Sequence, residues 1–455
     1  MPTQSSASIP GHSSPAASHR RPRPKPDQLR RKTRIEGFRY RAGRLVLGSL
    51  LTMTELWTRL RGRARHLVRA LTVALLLAGT AASIGPAAAS AAAPAAAGQV
   101  LGGPEVWGGP PPPSPGTSDN EFNGVAVLSP SDAWAVGFYQ DTGPDQTLIE
   151  HWDGSAWTVV PSPNVAGFYN TLNAVRAESP TDIWAVGEIF TTGVDHTLIL
   201  HWDGHTWAQV ASPDPGTRAG LNAVRTVSAT DAWAVGFLYK GTVGQPLILH
   251  WNGQKWAQVA SPNPGTDGAL NGLAITSAGN AWAVGTFFNG TADQGFMLHW
   301  NGQKWARQAI PNPGGPARDT RLSAVAAGAA SGKAWAVGSY FDGTTDRTLI
   351  LAWTGTKWVH QASPTPGDTF LEGAATTAAD NAWAVGGYDT GTRNESLILH
   401  WNGTKWAQIA SPNPSSSRDF LNAVAASSAT NAWAVGVFTG DDNGLEQNFA
   451  IHCCD

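Results

Sequence analysis

The sequence predicts an all-β fold, a seven-bladed β-propeller with four antiparallel strands in each blade. Seven copies of Ala-Trp-Ala-Val-Gly, one with Ile as its first residue, recur at spacings of 50, 49, 49, 53, 48 and 50 residues. A repeat of this length, rich in short apolar runs and turn residues, is typical of propeller blades. The tryptophans of the seven copies are Trp134, Trp184, Trp233, Trp282, Trp335, Trp383 and Trp433.

Four short strands can be placed in each repeat, as the third copy illustrates. Apolar runs occupy residues 221–225, 232–236, 247–251 and 255–259. Asn252-Gly253 separates the last two, and this dipeptide between apolar runs is the strongest short-range signal for a β-hairpin. The Ser-Pro-Asn-Pro-Gly sequence that follows ends the fourth strand, because proline has no N–H to donate. No room is left for a helix.

The two ends of the chain predict how the ring closes. The seventh repeat stops after its third strand, so its fourth strand is missing. Trp107 precedes Gly116 by nine residues, the same interval that separates Trp207 from Gly216 in a complete repeat. We therefore expect the segment around Trp107 to pair with residues 448–453 and to leave no free sheet edge.

Three segments are predicted from composition. They are a basic low-complexity lead (1–52), a secretory signal with an Ala-rich cleavage region (53–98) and the propeller (99–455). Residues 1–98 carry 16 Lys and Arg against three acids, a net of +13, so the rest carries 15 basic and 30 acidic residues, a net of −15. An Arg-rich start, the apolar run 70–82 and the small residues after it have the order of a signal peptide.

We therefore expect a secreted or cell-surface protein with no membrane span after signal cleavage. An uncleaved anchor stays open, as does a true start at Met53 rather than Met1. The basic lead could also be read as a nucleic-acid tail. An exported acidic domain argues against that interpretation, so we expect no nucleic-acid partner.

The repeated histidines and the cysteines do not predict a metal site. Six of the seven repeats carry His at one position of the third strand, but third strands of a propeller lie apart from one another. We expect each ring to hydrogen-bond within its own blade. Cys453 and Cys454 are the only cysteines, and they could form a vicinal disulfide, an intermolecular bridge or neither. The prediction is no metal and no cofactor.

Ligand binding is expected where the repeats differ. Twenty tryptophans recur at three fixed positions, as packing between blades requires, so they are not expected to be sugar-stacking platforms. Strand alternation places the connections between strands two and three on the same face as those between blades, and these vary in sequence. The predicted ligand-binding residues on this face are Tyr139, Tyr169, Arg218, Tyr239, Arg318, Tyr340, Tyr388 and Arg393.

An enzyme is the less favoured interpretation, and Glu372 is its only candidate catalytic residue. Glu372 takes a first-strand position that is Asn in five repeats. A glycosidase needs a pair of carboxylates, and Glu178 lies near the end of another first strand. Arg176 and Arg225 follow the first strands of adjacent blades, where they could hold an anionic sugar. No spacing of a known catalytic motif is present.

Residues 99–455 resemble the kelch and galactose-oxidase group of propellers in repeat length and in the pair of aromatic residues near the end of each repeat. The Gly-Gly doublet of kelch repeats has a partial match only at Gly386-Gly387, and the copper ligands of that group have no counterpart. The turn before Lys255-Trp256 is similar to the Asp-box of sialidases, without its leading Ser and one spacer residue. The tandem Trp-rich units also resemble uncharacterised exported repeat proteins of actinobacteria.

The function expected from the sequence is that of an exported, monomeric binding or scaffold module without catalytic activity. It would bind a protein or a glycan at the cell surface through the variable connections. A glycan-binding lectin is the first alternative, and a polysaccharide hydrolase or lyase is the second.

Overall fold

The computed structural model describes residues 106–328 and 332–453. They form seven sheets of four antiparallel strands each, the blades of a β-propeller. This confirms the predicted fold class. The basic lead and the secretory signal lie outside the described residues. No helix is found in the described ranges, and so none that could cross a membrane.

Strands are numbered along the chain, and each blade is named by its position in the sequence. The bounds are, in blade 1, β2 (Asn120–Ser129), β3 (Asp132–Tyr139), β4 (Gln146–Trp152), β5 (Trp157–Val159); in blade 2, β6 (Tyr169–Ser179), β7 (Asp182–Phe190), β8 (Asp195–Trp202), β9 (Trp207–Gln209); in blade 3, β10 (Arg218–Ser228), β11 (Asp231–Lys240), β12 (Val243–Trp251), β13 (Trp256–Gln258); in blade 4, β14 (Thr266–Ser277), β15 (Asn280–Phe288), β16 (Asp293–Trp300), β17 (Trp305–Gln308); in blade 5, β18 (Thr320–Ala327), β19 (Ala334–Phe341), β20 (Asp346–Trp353), β21 (Trp358–His360); in blade 6, β22 (Asp368–Ala378), β23 (Asn381–Asp389), β24 (Asn394–Trp401), β25 (Trp406–Ile409); in blade 7, β26 (Asp419–Ser428), β27 (Asn431–Thr439), β28 (Glu446–Cys453) and β1 (Trp107–Gly108).

The ring closes as the chain ends predict. Strand β1 is the outer strand of blade 7, with Trp107 opposite Cys453 and Gly108 opposite His452. Cys453 is fully buried and disulfide-bonded. The first and last described strands of the chain thus share one sheet, and the edge of β28 is covered.

The glycine of the Ala-Trp-Ala-Val-Gly repeat is required by a bulge in the first strand. In every blade the pairing of strands one and two shifts by one residue opposite this glycine, as at Leu221/Ala223. A Cβ atom on Gly236 would lie 2.0 Å from the carbonyl oxygen of Gly220. Only glycine allows this approach, which explains why all seven copies of the repeat end in Gly.

The residue left out of register by the bulge links five of the blades to the next one. It is Asn in five blades, and its Nδ2 donates to a first-strand carbonyl of the following blade. The bond from Asn222 to Leu270 O is 2.7 Å, and that from Asn422 to Phe122 O is 2.8 Å across the closure. This inner ring of amides shows that the first strands surround the propeller axis. The other three links start at Asn123, Asn173 and Asn271.

The tryptophans pack between blades, as predicted. Trp184 of blade 2 lies 5.1 Å from Trp251 and 5.3 Å from Trp256, both of blade 3, and it is edge-on to Trp256. Edge-to-face aromatic pairs add stability beyond the area they bury. Trp251 Nε1 donates to Ala229 O in the turn between strands one and two of its own blade.

Each repeated histidine bonds within its own blade, as predicted. His250 Nε2 lies 2.9 Å from Asp231 Oδ1 at the start of the second strand, and its ring lies 4.2 Å from that of Trp233. Asn replaces Asp in blades 4, 6 and 7, where His299 donates to Asn280 Oδ1 at 2.7 Å. In the six blades that have it, this histidine therefore joins the third strand to the start of the second strand.

The Asn-Gly turns differ from the two-residue hairpin predicted for them. Asn252 and Gly253 are part of a four-residue turn in which Asn252 Oδ1 accepts from the N–H groups of Gln254 and Lys255, each at 3.0 Å. Among the described turn residues only the glycine has a positive φ, 87° at Gly253. The side chain of Asn252, rather than its backbone conformation, therefore selects this residue type.

Candidate ligand-binding face

Two faces of the propeller differ in the regularity of their connections. On one, the short-turn face, strands three and four are joined by four residues wherever both are in sequence, as at 153–156 and 203–206. On the other, the loop face, connections between strands two and three span from 2 residues at 241–242 to 6 at 140–145. Those between blades span from 7 residues at 259–265 to 11 at 309–319.

The two sets of connections on the loop face adjoin each other. Ser118 N donates to Gln140 O at 2.9 Å, and Thr217 N donates to Tyr239 O at 2.7 Å. The loop that enters each of these blades is therefore tied to the loop that leaves its second strand. A ligand on this face would meet residues from both.

In blade 3 the structure brings two of the predicted residues together. Arg218 and Tyr239 are opposite each other in the ladder of β10 and β11. The guanidinium carbon of Arg218 lies 5.3 Å from the ring centroid of Tyr239, within cation–π distance. Arg218 Nη2 also lies 2.6 Å from Asp195 Oδ2 of blade 2, so this cation joins two blades at the rim of the face.

In blade 6 two further predicted residues share one acid. Tyr388 Oη donates to Glu395 Oε2 at 2.5 Å, and Arg393 Nη2 lies 2.7 Å from Glu395 Oε1. Arg393 Nη1 also donates to Ser415 O at 3.0 Å, in the loop that leads to blade 7. Burial first, and then the bond and charge of Glu395, raise the pKa of Tyr388 to about 12. This phenol is a fixed hydrogen-bonding group, not an acid at physiological pH.

The other four predicted residues are spread over blades 1, 2 and 5, and within the described ranges no hydrogen bond, ion pair or ring contact joins any two of them. Tyr139 Oη donates to Gln146 Oε1 at 3.1 Å, and Arg318 is exposed in the loop before blade 5. The remaining two are packed edge-on or tilted against an aromatic ring of the same blade: Tyr169 on Phe190 and Tyr340 on His360. The predicted residues thus form a rim around the loop face and do not converge on one pocket.

Asp145, on the loop face, is a functional candidate that sequence reasoning missed. Its side chain is 1% exposed; Oδ1 accepts from Gln140 Nε2 at 3.0 Å, and Oδ2 has no partner in the described part of the chain. Burial raises the pKa of Asp145 to about 7. The matching acid of blade 2, Asp195, pairs with Arg218, whereas Tyr169 stands at the corresponding place beside Asp145. The replacement of this arginine by Tyr169 is the feature of the sequence that could have pointed to Asp145.

Glu372 lies on β22 at the bulge position, in the inner ring and not on the loop face. An ionised carboxylate has no N–H with which to form the link that Asn makes in five blades. Glu178 lies on β6, where its Oε2 accepts from Thr226 Oγ1 at 2.7 Å. Arg176 and Arg225 lie within β6 and β10 and do not follow them, which corrects their predicted placement. A catalytic role for Glu372 stays a prediction.

Within residues 106–328 and 332–453, no group of three or more His, Cys, Asp or Glu residues is arranged to hold a metal ion. The repeated histidines each face the residue at the start of their own second strand. What the loop face can offer chemically is a set of fixed ion pairs, phenols and carboxyl groups whose pKa burial raises, among them Asp145 and Asp419.

No protein-family model and no curated protein matches the chain. Solved structures that resemble it include YCF48 bound to a D1 peptide, with a TM-score of 0.49, 15% identity, and coverage of 80% of this chain and 99% of that one. A polysaccharide lyase, an ulvan lyase bound to -[GlcA(1-4)Rha3S]-, has a TM-score of 0.47, 9% identity and coverage of 71% and 90%. Sqt1 of Chaetomium thermophilum has a TM-score of 0.44, 11% identity and coverage of 73% and 87%. These likenesses concern the fold alone.

Proposed function

We propose that the protein is an exported binding module that holds a protein partner at the cell surface through its loop face. The observation that carries this proposal is that the repeated residues and the variable residues of each blade lie in different places and do different things. The repeated Trp and Asn join neighbouring blades, and the repeated His and Gly serve the pairing of strands within each blade. The residues that differ between blades are concentrated in the connections of one face, where binding residues are commonly placed on a rigid scaffold.

The rim of the loop face is held in place before any ligand binds. Arg218 with Asp195, and Arg393 with Ser415, connect successive blades. Arg418 and Glu446 form a further ion pair within blade 7. Such preorganisation lowers the entropic cost of binding. Mixed charges and phenols on a fixed rim favour recognition of a polar protein surface.

A glycan partner is less well supported by the same residues. A sugar-stacking platform needs an aromatic face open to solvent, but Tyr139, Tyr239 and Tyr388 are half-buried. The hydroxyl groups of Tyr139 and Tyr388 are already hydrogen-bonded. We therefore place the lectin second and make it an outcome of the test.

Purified residues 99–455 would be tested for retention by a panel of cell-wall and extracellular polysaccharides, with product release followed in the same samples. We expect no retention and no product, and we expect cross-linking on intact cells to join the propeller to a surface protein. Retention by one polymer without product would establish the lectin instead. New reducing ends or unsaturated products would establish an enzyme, and Glu372→Gln would then show whether that residue is required.

A further inference from the structure

Two arginines occupy a position that is alanine in the other blades. Arg176 on β6 and Arg225 on β10 stand opposite the repeated Trp184 and Trp233 in their ladders. Arg176 is three residues from the end of β6, in the half of the innermost strand nearer the short-turn face. The site is therefore separate from the loop face. The alanines at this position are Ala126, Ala274, Ala326, Ala375 and Ala425.

Neither guanidinium has a carboxylate partner within 4 Å in the described ranges, whereas Arg218, Arg321 and Arg393 each form an ion pair there. Arg225 Nη1 donates to Val224 O at 2.8 Å, a neutral acceptor on its own strand. Solvent reaches both side chains, Arg176 more than Arg225, although protein surrounds much of each. Burial first, and then the positive charge of Arg176, lower the pKa of Arg225 to about 10. Two cations thus lie near each other beside the axis.

One acid lies near this pair. Glu178 is two residues beyond Arg176; burial lowers the pKa of Arg176, and the charge of Glu178 opposes this change in part. Its Oε2 is held by Thr226 Oγ1 at 2.7 Å. Two arginines and one glutamate leave a net charge of +1, within a segment, residues 99–455, whose net charge is −15. Two positive charges held close together without an equal counter-charge repel each other.

We propose that Arg176 and Arg225 form an oxyanion-binding site at the inner end of blades 2 and 3, for a carboxylate or sulfate group of a ligand that reaches the axis. A guanidinium presents a planar fork of N–H donors that matches the oxygens of either group. The bound anion would supply the counter-charge that the chain itself lacks there. This proposal does not depend on the loop-face function.

The test compares the wild-type propeller with Arg176→Ala, Arg225→Ala and the double variant. Alanine is the residue of five blades, so these variants are expected to fold. Melting temperature and calorimetric titration would be measured with sulfate and with citrate, against chloride at equal ionic strength. We expect both anions to raise the melting temperature of the wild type above that in chloride. Each single variant should bind about tenfold or more weakly, as loss of a charge-assisted bond implies.

Two further readouts separate a binding site from structural arginines. In chloride alone, Arg225→Ala should raise the melting temperature, because it removes the repulsion between the two guanidinium groups; a structural arginine would lower it. Glu178→Gln should tighten anion binding, because it removes the competing carboxylate. If the double variant responds to sulfate and citrate as the wild type does, the effect is a general one of salt and the proposal is wrong. A response to sulfate but not citrate, or the reverse, would identify the oxyanion.

Discussion

Replacement of Trp107 by alanine is expected to lower the free energy of unfolding by roughly 3–5 kcal/mol, the usual cost of removing a buried Trp. Its side chain is 3% exposed and packs in the cluster that joins blades 6 and 7, with Trp383 and Ile451 among its neighbours. Strand β1 is only two residues long, so little else holds it. Loss of the anchor would uncover the edge of β28.

Val106 supplies the matched control, because it precedes Trp107 and is 78% exposed. Val106→Ala should leave thermal and denaturant unfolding unchanged. Equal, small effects of the two substitutions would show that the N-terminal strand does not close the ring. A large effect of Trp107→Ala alone supports the closure.

Replacement of Glu150 by leucine is expected to stabilise the propeller, and more so as pH rises. Glu150 on β4 is fully buried, where the other blades have Leu or Ile. Its Oε1 lies 3.4 Å from Asn448 Nδ2 of blade 7, and its Oε2 has no partner among the described residues. Burial raises the pKa of Glu150 from its ordinary value of 4.5 to about 8. An ionised carboxylate is therefore poorly tolerated at the closing interface.

The direction of this pH dependence follows from the difference in proton binding between the folded and the unfolded protein. The folded protein holds the Glu150 proton to about pH 8, whereas the unfolded chain releases it near pH 4.5. The part of the free energy of unfolding that depends on Glu150 is therefore greatest at low pH, falls as pH rises through this window, and stays low above it. The full difference corresponds to roughly 5 kcal/mol, so Glu150→Leu should gain several kcal/mol above about pH 8.

Glu150→Gln is the control for shape, since it cannot ionise but keeps a polar group near Asn448. Unfolding of the three proteins would be followed between acidic and alkaline pH. Both variants should lose the part of the pH dependence that Glu150 causes. Asp145 and Asp419, whose pKa values are also raised by burial, stay in all three proteins as a common background. A gain from Glu150→Leu that is the same at every pH would contradict this explanation.

Much of the fold could be predicted because the same structural unit occurs seven times in the sequence. The Trp spacing, the turns and the missing fourth strand predicted the blades and their closure. Strand lengths were less accessible: β10 extends over Arg218–Ser228, beyond the apolar run 221–225. The Asn ring was visible as a repeated polar position, but its role depends on the bulge, which alternation of apolar residues does not reveal.

The binding residues were harder to predict, because only the structure shows which loops meet. The sequence predicted each binding residue by itself. In the structure Arg218 lies against Tyr239, and Tyr388 and Arg393 both contact Glu395. Asp145 resembles the acids of other blades in sequence. It differs because no arginine faces it, and this comparison requires knowing that the loops of adjacent blades are in contact.

The most direct test of the proposed function is binding of the labelled propeller to intact producing cells, comparing two double variants. Lys240→Ala with Arg318→Ala changes the loop face, and Lys255→Ala with Lys304→Ala changes the short-turn face. All four side chains are exposed, and each variant removes two positive charges. We predict that the loop-face variant loses about tenfold in affinity, because both removed charges belong to the rim proposed to contact the partner, while the short-turn variant binds normally. Equal binding by both, or loss in the short-turn variant alone, would contradict the assignment of the binding face.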